Sequence, residues 1–242
     1  MPPFLTAQDV LEVWELGQKR APVDRALLLL TASSPDDSWE DLAALPIGQR
    51  DARLLTLREQ LFGSGFVCQT VCPQCGSHIE LSFTVEDVRA ERDAAPQEEF
   101  SLSTHGHEVK FRLPTSGDVL AIAGGAEDSD RALLDQCVLE AHQNGEQRTA
   151  AELPTEVVGE IGKRMSEADP QAETRASVTC SSCGHRWESI LDISQFLWAE
   201  IESWALRTLR EIHQLASAYG WTESEILRLS PWRRQFYLQC VR

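Results

Sequence analysis

The sequence predicts an α+β protein, mostly helical, that carries a split zinc-ribbon-like pair of β-hairpins with a hairpin-and-helix segment inserted between them. Three observations predict it. Apolar residues recur at helical spacing over 1–65 and again over 193–242. Two short stretches, 66–88 and 172–192, change to alternation, and each turns on a Cys-x-x-Cys-Gly motif. The 104 residues between Cys75 and Cys180 hold alternating and helical patterns of their own. The expected parts are an N-terminal helical region (1–65), the first ribbon half (66–88), an insertion (89–171), the second half (172–192) and a C-terminal helical region (193–242).

Along the first region, Thr6 is a plausible N-cap with Asp9 three residues on, and Val10, Val13, Trp14 and Gly17 share one side. Asp24–Thr31 makes a second short helix, and Ser38 starts a third that Pro46 ends or interrupts. From Pro46 to Phe62 the pattern is amphipathic, with Ile47, Leu54 and Leu61 seven apart, and Gly63 supplies a left-handed C-terminal cap. Phe66–Val71 and Ile79–Val85 read as strands around the first cysteine turn.

Residues 86–99 are polar and acidic, as in a linker. Phe100–Thr104 and Val109–Leu113 then alternate about His105-Gly106, a second hairpin. Thr115 to Asp118 can cap a short helix, and Gly124 to Asp130 reads as a loop. Leu133, Leu134, Cys137, Val138 and Ala141 define one helical face that Asn144-Gly145 terminates, and Pro154 opens a further helix to about Ala168. After the second cysteine turn and the strand Arg186–Leu191, Asp192 caps a long helix closed by Gly220. Thr222 with Glu225 forms a capping box, Trp221 with Ile226 a hydrophobic staple, and Ser230-Pro231 starts a final basic helix.

The chain has 242 residues, which leaves the domain count between one and two. A chain this long buries roughly 70% of its unfolded surface, so a metal is not needed to replace a missing core. The longest clean apolar run, Ala26–Leu30, is too short to span a bilayer, and Met1–Leu5 lacks the basic start and apolar stretch of a signal peptide. Both point to the bacterial cytoplasm, with no membrane partner. A net charge of −16 repels phosphate backbones, so nucleic acid is not the expected partner. It suits basic or mixed protein partners.

Seven cysteines are an odd number, and a disulfide framework does not suit a reducing compartment. Cys72, Cys75, Cys180 and Cys183 form two Cys-x-x-Cys pairs, each followed by glycine (Gly76, Gly184) that lets the backbone turn tightly under the sulfurs. Two such turns supply the four soft ligands of a structural, four-cysteine zinc ion, and a closed shell leaves no position for a reactive water. The long gap between pairs is tolerable because loop-closure cost grows slowly with length. Such an ion would clasp the middle of the chain and set the two helical regions against each other. Three other readings stay open: a redox dithiol in either pair, a ribbon that has lost its metal, and half-sites bridging two chains.

Cys68, Cys137 and Cys240 read as small hydrophobic residues, His78 and His185 as surface histidines, and His105 and His107 as residues flanking a predicted turn with no metal role. No phosphate loop, Gly-x-Ser-x-Gly or His-Glu-x-x-His motif is present, so no enzyme is expected. The last 45 or so residues concentrate tryptophan and arginine, the types interfaces enrich. Trp198, Trp204, Trp221, Trp232, Arg233 and Tyr237 are accordingly the candidate partner-binding residues.

Several runs together resemble a known family. They are Leu45–Gly63 followed by Cys72-Pro-Gln-Cys-Gly76, then Arg112–Asp118, Cys180–Trp187, Phe196–Ile201 and Glu211–Pro231. They are similar to the baseplate hub assembly chaperones of T-even-like phages, and closest to the branch in contractile injection systems, which carries the cysteine pairs. The resemblance covers nearly the whole chain and departs from it at 86–99 and 144–153. It implies a non-enzymatic accessory protein that helps a baseplate hub assemble, with hub, spike or tail-tube proteins as partners. The residues alone leave another reading, a zinc-ribbon adaptor of a different cytoplasmic complex such as the transcription machinery. Oligomeric state is not legible.

Overall fold

The computed structural model describes residues 5–90, 99–123 and 128–241. In chain order the elements are α1 (Ala7–Gly17), α2 (Pro22–Ser33), α3 (Trp39–Ala43), α4 (Ile47–Phe62), β1 (Gly65–Val71), β2 (His78–Thr84) and α5 (Val85–Val88). The middle holds β3 (Phe100–Thr104), β4 (His107–Phe111), α6 (Ser116–Ile122), α7 (Ser129–Cys137), β5 (Val138–Gln143), β6 (Glu146–Gln147) and α8 (Thr155–Ala168). The chain closes with β7 (Arg175–Thr179), β8 (Arg186–Ile190), α9 (Ile193–Tyr219), α10 (Glu223–Leu227) and α11 (Pro231–Cys240). The protein is therefore mixed α+β with its strands in small antiparallel sheets, and it divides into two compact units.

One unit joins Met1–Pro35 to Ser194–Arg242. Its helices start where capping chemistry puts them. Thr6 and Asp9 exchange hydrogen bonds at the head of α1, as do Thr222 and Glu225 at the head of α10, and each box satisfies amides a helix N-terminus leaves unpaired. Gly220 takes φ 69° and ends α9, a conformation that costs a glycine nothing. Gly17 is needed for another reason: a Cβ there would lie 2.2 Å from the Trp198 ring. The Arg25 guanidinium covers the same ring, 4.6 Å from its centroid, while its Nε donates to the Gly17 carbonyl at 2.9 Å.

The other unit, Asp36–Ile193, holds every strand of the described residues. β3, β4, β5 and β6 form an antiparallel meander whose apolar face meets α7 and α8. Phe100, Val109, Phe111, Leu134, Val157 and Ile161 are its buried centre, and the Phe100 and Phe111 rings stack 5.7 Å apart. α4 enters through Pro46, whose neighbour Ile47 donates its amide to the Pro114 carbonyl at 3.1 Å.

The expected single helix over 133–144 is corrected. It ends at Cys137, and Val138–Gln143 continue as β5, paired with β4 from Phe111–Val138 to His107–Gln143 with a register shift between Lys110 and Phe111. Asn144 (φ 53°) and Gly145 (φ 84°) do not cap a helix; they are the two left-handed residues of a tight hairpin turn into β6. His105 (φ 49°) and Gly106 (φ 75°) make the same turn between β3 and β4, where a hairpin was expected. The linker expected over 86–99 begins as the last residues of α5, capped by Thr84, and its portion 91–98 lies outside the described residues. So do residues 124–127 of the expected loop, of which Ser129 and Asp130 belong to α7.

Candidate metal centre

Each Cys-x-x-Cys pair sits on the tip of a two-stranded hairpin. β1 pairs with β2 from Gly65–Thr84 to Val71–His78, and β7 pairs with β8 from Arg175–Ile190 to Thr179–Arg186. The next residues in each hairpin are the first cysteine and its partner. Cys72 donates its amide to the Ser77 carbonyl at 2.9 Å, and Cys180 does the same to the His185 carbonyl at 2.8 Å. Gly76 and Gly184 then return their amides to the Cys72 and Cys180 carbonyls, each at 2.9 Å. Their φ values of 72° and 75° are why glycine stands there. The two turns are thus built alike, and each aims two sulfurs at one point.

The two points coincide. All four sulfurs lie within 4.8 Å of one another. Two contacts join opposite turns, Cys72 to Cys183 at 3.7 Å and Cys75 to Cys180 at 3.6 Å. Four thiolates held about 2.3 Å from a central tetrahedral ion stand ~3.8 Å apart, so the spacing fits such an ion. Cys72 and Cys180 are 1% exposed and, with Ile79, Leu81 and Trp187 packed against them, form a small apolar floor; Cys75 and Cys183 are exposed.

Four thiols this close cannot share negative charge evenly by themselves. Ser77, through its hydroxyl and its amide, holds the Cys75 thiol down to about 6. Cys183 is pushed up to about 12: a hydrogen bond from the His185 backbone lowers it, but desolvation and the thiols of Cys75, Cys180 and Cys72 outweigh that bond. A divalent cation at the centre removes this competition, because it favours the thiolate at every position. The residues present therefore fit a four-thiolate metal ion.

The neighbouring histidines stay outside the cluster. His78 is exposed, and His185 is half-buried with its ring stacked 5.8 Å from Trp187. His105 is exposed, and His107 is 4% exposed with its Nδ1 3.0 Å from the His105 carbonyl. Of the remaining cysteines Cys137 is buried, Cys68 half-buried and Cys240 exposed, so only the first two behave as packing residues.

The candidate partner-binding residues divide by burial. Trp198 is 5% exposed, inside its unit against Gly17 and Arg25. Trp204 is half-buried on α9. Trp221 is also half-buried, stacked on Tyr219 at 4.6 Å and met edge-on by Tyr237 at 5.0 Å. Trp232 is 77% exposed and Arg233 is exposed beside it. The structure adds Phe236, 52% exposed and stacked 6.1 Å from Trp232. Its four-residue spacing from Trp232 on one helix was the signal for it.

Hairpins, knuckles and helices together define a cysteine-clasped α+β protein. The chain belongs to the T4 bacteriophage base plate protein family, whose model matches residues 23–198. The match runs from the start of α2 into α9 and takes in both cysteine turns. No curated protein and no solved structure matches the chain. Among the described residues no helix is long and apolar enough to cross a membrane.

Proposed function

We propose that this baseplate-family protein is a non-enzymatic assembly factor for the baseplate hub of a phage-tail-like contractile injection system. It works as a binding scaffold, made in the bacterial cytoplasm, that engages hub, spike or tail-tube proteins encoded beside it. The observation that carries this reading is the family match over 23–198. The resemblance of Leu45–Gly63 and Glu211–Pro231 to hub assembly chaperones supports the narrower role.

Zinc is the ion that suits the centre, because four thiolates in a tetrahedron are its preferred structural shell. Cys72, Cys75, Cys180 and Cys183 would hold it, and its chemistry there is to bind the four thiolates and fix two hairpins as one body. With all four positions taken by protein, the metal stabilises and does not activate water.

Affinity purification of the tagged protein, co-expressed with its neighbouring tail genes, tests the role. It should recover a hub, spike or tail-tube protein, and deleting the gene should leave baseplates unassembled. Repeated recovery of none of these proteins, with baseplates forming normally in the deletion, would sink the proposal.

A further inference from the structure

The chain as a whole is strongly acidic, yet its last helix is not. Beyond Glu225 there is no acidic residue, while Arg228, Arg233, Arg234 and Arg242 follow in a chain of net charge −16. Of these, Arg234 is 6% exposed and faces Glu211, its Nε 3.6 Å from the carboxylate. Arg228 and Arg233 are exposed, and Arg233 has no ion pair among the described residues. Next to Arg233 stand Trp232 and Phe236, stacked and turned to solvent at 77% and 52% exposure. Behind them the rings of Tyr237, Trp221 and Tyr219 pack edge and face, which fixes where the outer pair stands.

A solvated helix gains nothing from two large rings in water, and an acidic chain gains no solubility from a local basic patch. Both make sense against a partner with apolar and anionic groups side by side. Aromatic rings with arginine are what binding hot spots concentrate, and charge complementarity fixes which partner is accepted. We propose that the outer face of α11, with Arg228, binds an acidic segment of another protein. Carboxylates of that segment pair with Arg233 and Arg228, and an apolar side chain of it lies against Trp232 and Phe236. The inference rests on the assembly-factor reading and names the chemistry of the partner.

A protein segment is favoured over a phosphate polymer because Arg228 and Arg233 are too few to track a run of phosphates, which one short acidic segment does not require. It is favoured over an anionic membrane because Arg228 and Arg233 fall short of the clusters of about 4–8 basic residues that anionic lipid surfaces recruit.

The test is photo-crosslinking in the full chain, co-expressed with its neighbouring baseplate genes. p-Benzoylphenylalanine replaces Phe236 in one sample and the exposed Lys163 of α8 in a control. The expected result is a crosslink from position 236, absent from position 163, to a net-acidic stretch of one other protein. Arg233→Glu, and separately Arg228→Glu, should lower its yield at least tenfold, while Lys163→Glu, the same charge change elsewhere, should not. Crosslinking to nucleic acid, to lipid, to a second copy of this chain or to a neutral or basic stretch would overturn the inference, as would no crosslink. A baseplate protein that still co-purifies while position 236 stays uncrosslinked defeats this inference alone. Failure to recover any baseplate protein defeats the assembly role beneath it.

Discussion

The Asp169 carboxylate accepts a hydrogen bond from the backbone amide of Gly48 at 2.8 Å, joining residues 121 positions apart. Gly48 is in the first turn of α4, where amides have no partner within the helix and a negative charge is favoured. α4 leads into the first cysteine hairpin, and Asp169, at the end of α8, leads into the second. The bond therefore ties together the two approaches to the cluster. A Cβ at position 48 would stand 1.9 Å from Asp169 Oδ1 and 2.8 Å from the Ala172 amide nitrogen. Gly48→Ala should cost about 1–3 kcal/mol in denaturant unfolding. Asp169→Asn, which keeps an accepting oxygen, should cost less than Asp169→Ala; equal losses would show that acceptance by this carboxylate is not what matters.

Metal binding and folding should be linked at the cysteine cluster. Cys72→Ser or Cys183→Ser is expected to remove the bound zinc and cost several kcal/mol, because binding and folding are coupled. Native mass spectrometry gives the metal content and thermal unfolding the stability. A chelator should shift the melting temperature of the parent protein and leave either serine variant nearly unmoved. Full metal content with an unchanged melting temperature in the variants would refute the four-thiolate assignment.

Trp198 and Trp232 should separate stability from binding. Trp198 is buried against Gly17 and beneath Arg25, so Trp198→Ala should destabilise by about 3–5 kcal/mol. Trp232 is largely in water, so Trp232→Ala should stay within about 0.5 kcal/mol of the parent. Denaturant titrations of the two variants give the comparison, and similar losses would mean that the burial does not set the energetics.

Asp118 carries a pH dependence. Burial raises its carboxyl pKa, but hydrogen bonds from Arg112 and Thr115 outweigh it and hold the group below the ordinary carboxylate value. Arg112 reaches its two oxygens at 2.6 and 2.7 Å, and Thr115 adds a side-chain and a backbone bond. A depressed folded pKa means the contribution is complete above about pH 4 and is lost as pH falls through the lower, folded value. Asp118→Asn should then cost about 2 kcal/mol at pH 7, as loss of a charged hydrogen bond does. The gap to the parent should close at strongly acid pH, and a gap that stays constant from pH 7 to pH 3 would contradict the assignment.

The four-cysteine cluster could be read in advance because its signal lies in residue identity: two pairs of thiols, each three apart with glycine next. Caps were equally readable, since Thr6 with Asp9 and Thr222 with Glu225 act within one turn. What lay hidden depends on distant residues. Val138 and Ala141 are three apart, which suits a helix, and Asn144-Gly145 suits a helix end as well as a hairpin turn. Only the pairing of Val109 with Ala141 and Glu108 with His142 decides for a strand, and no local window contains it. Trp198 looks like any other C-terminal tryptophan until Gly17, in the first helix, is seen to leave room for its ring.

The crossed contacts of the cluster, Cys72 to Cys183 and Cys75 to Cys180, also set an order in time. Cys180 is made 105 residues after Cys75. A ribosome adding roughly 5–20 residues per second needs about 5–20 s to cover that distance. For that interval the first knuckle is half of a site, two thiols waiting for partners that do not yet exist. The clasp can close only after the whole meander has been synthesised, so a message cut short within the insertion yields a chain with unsatisfied thiols. Closure marks a finished middle.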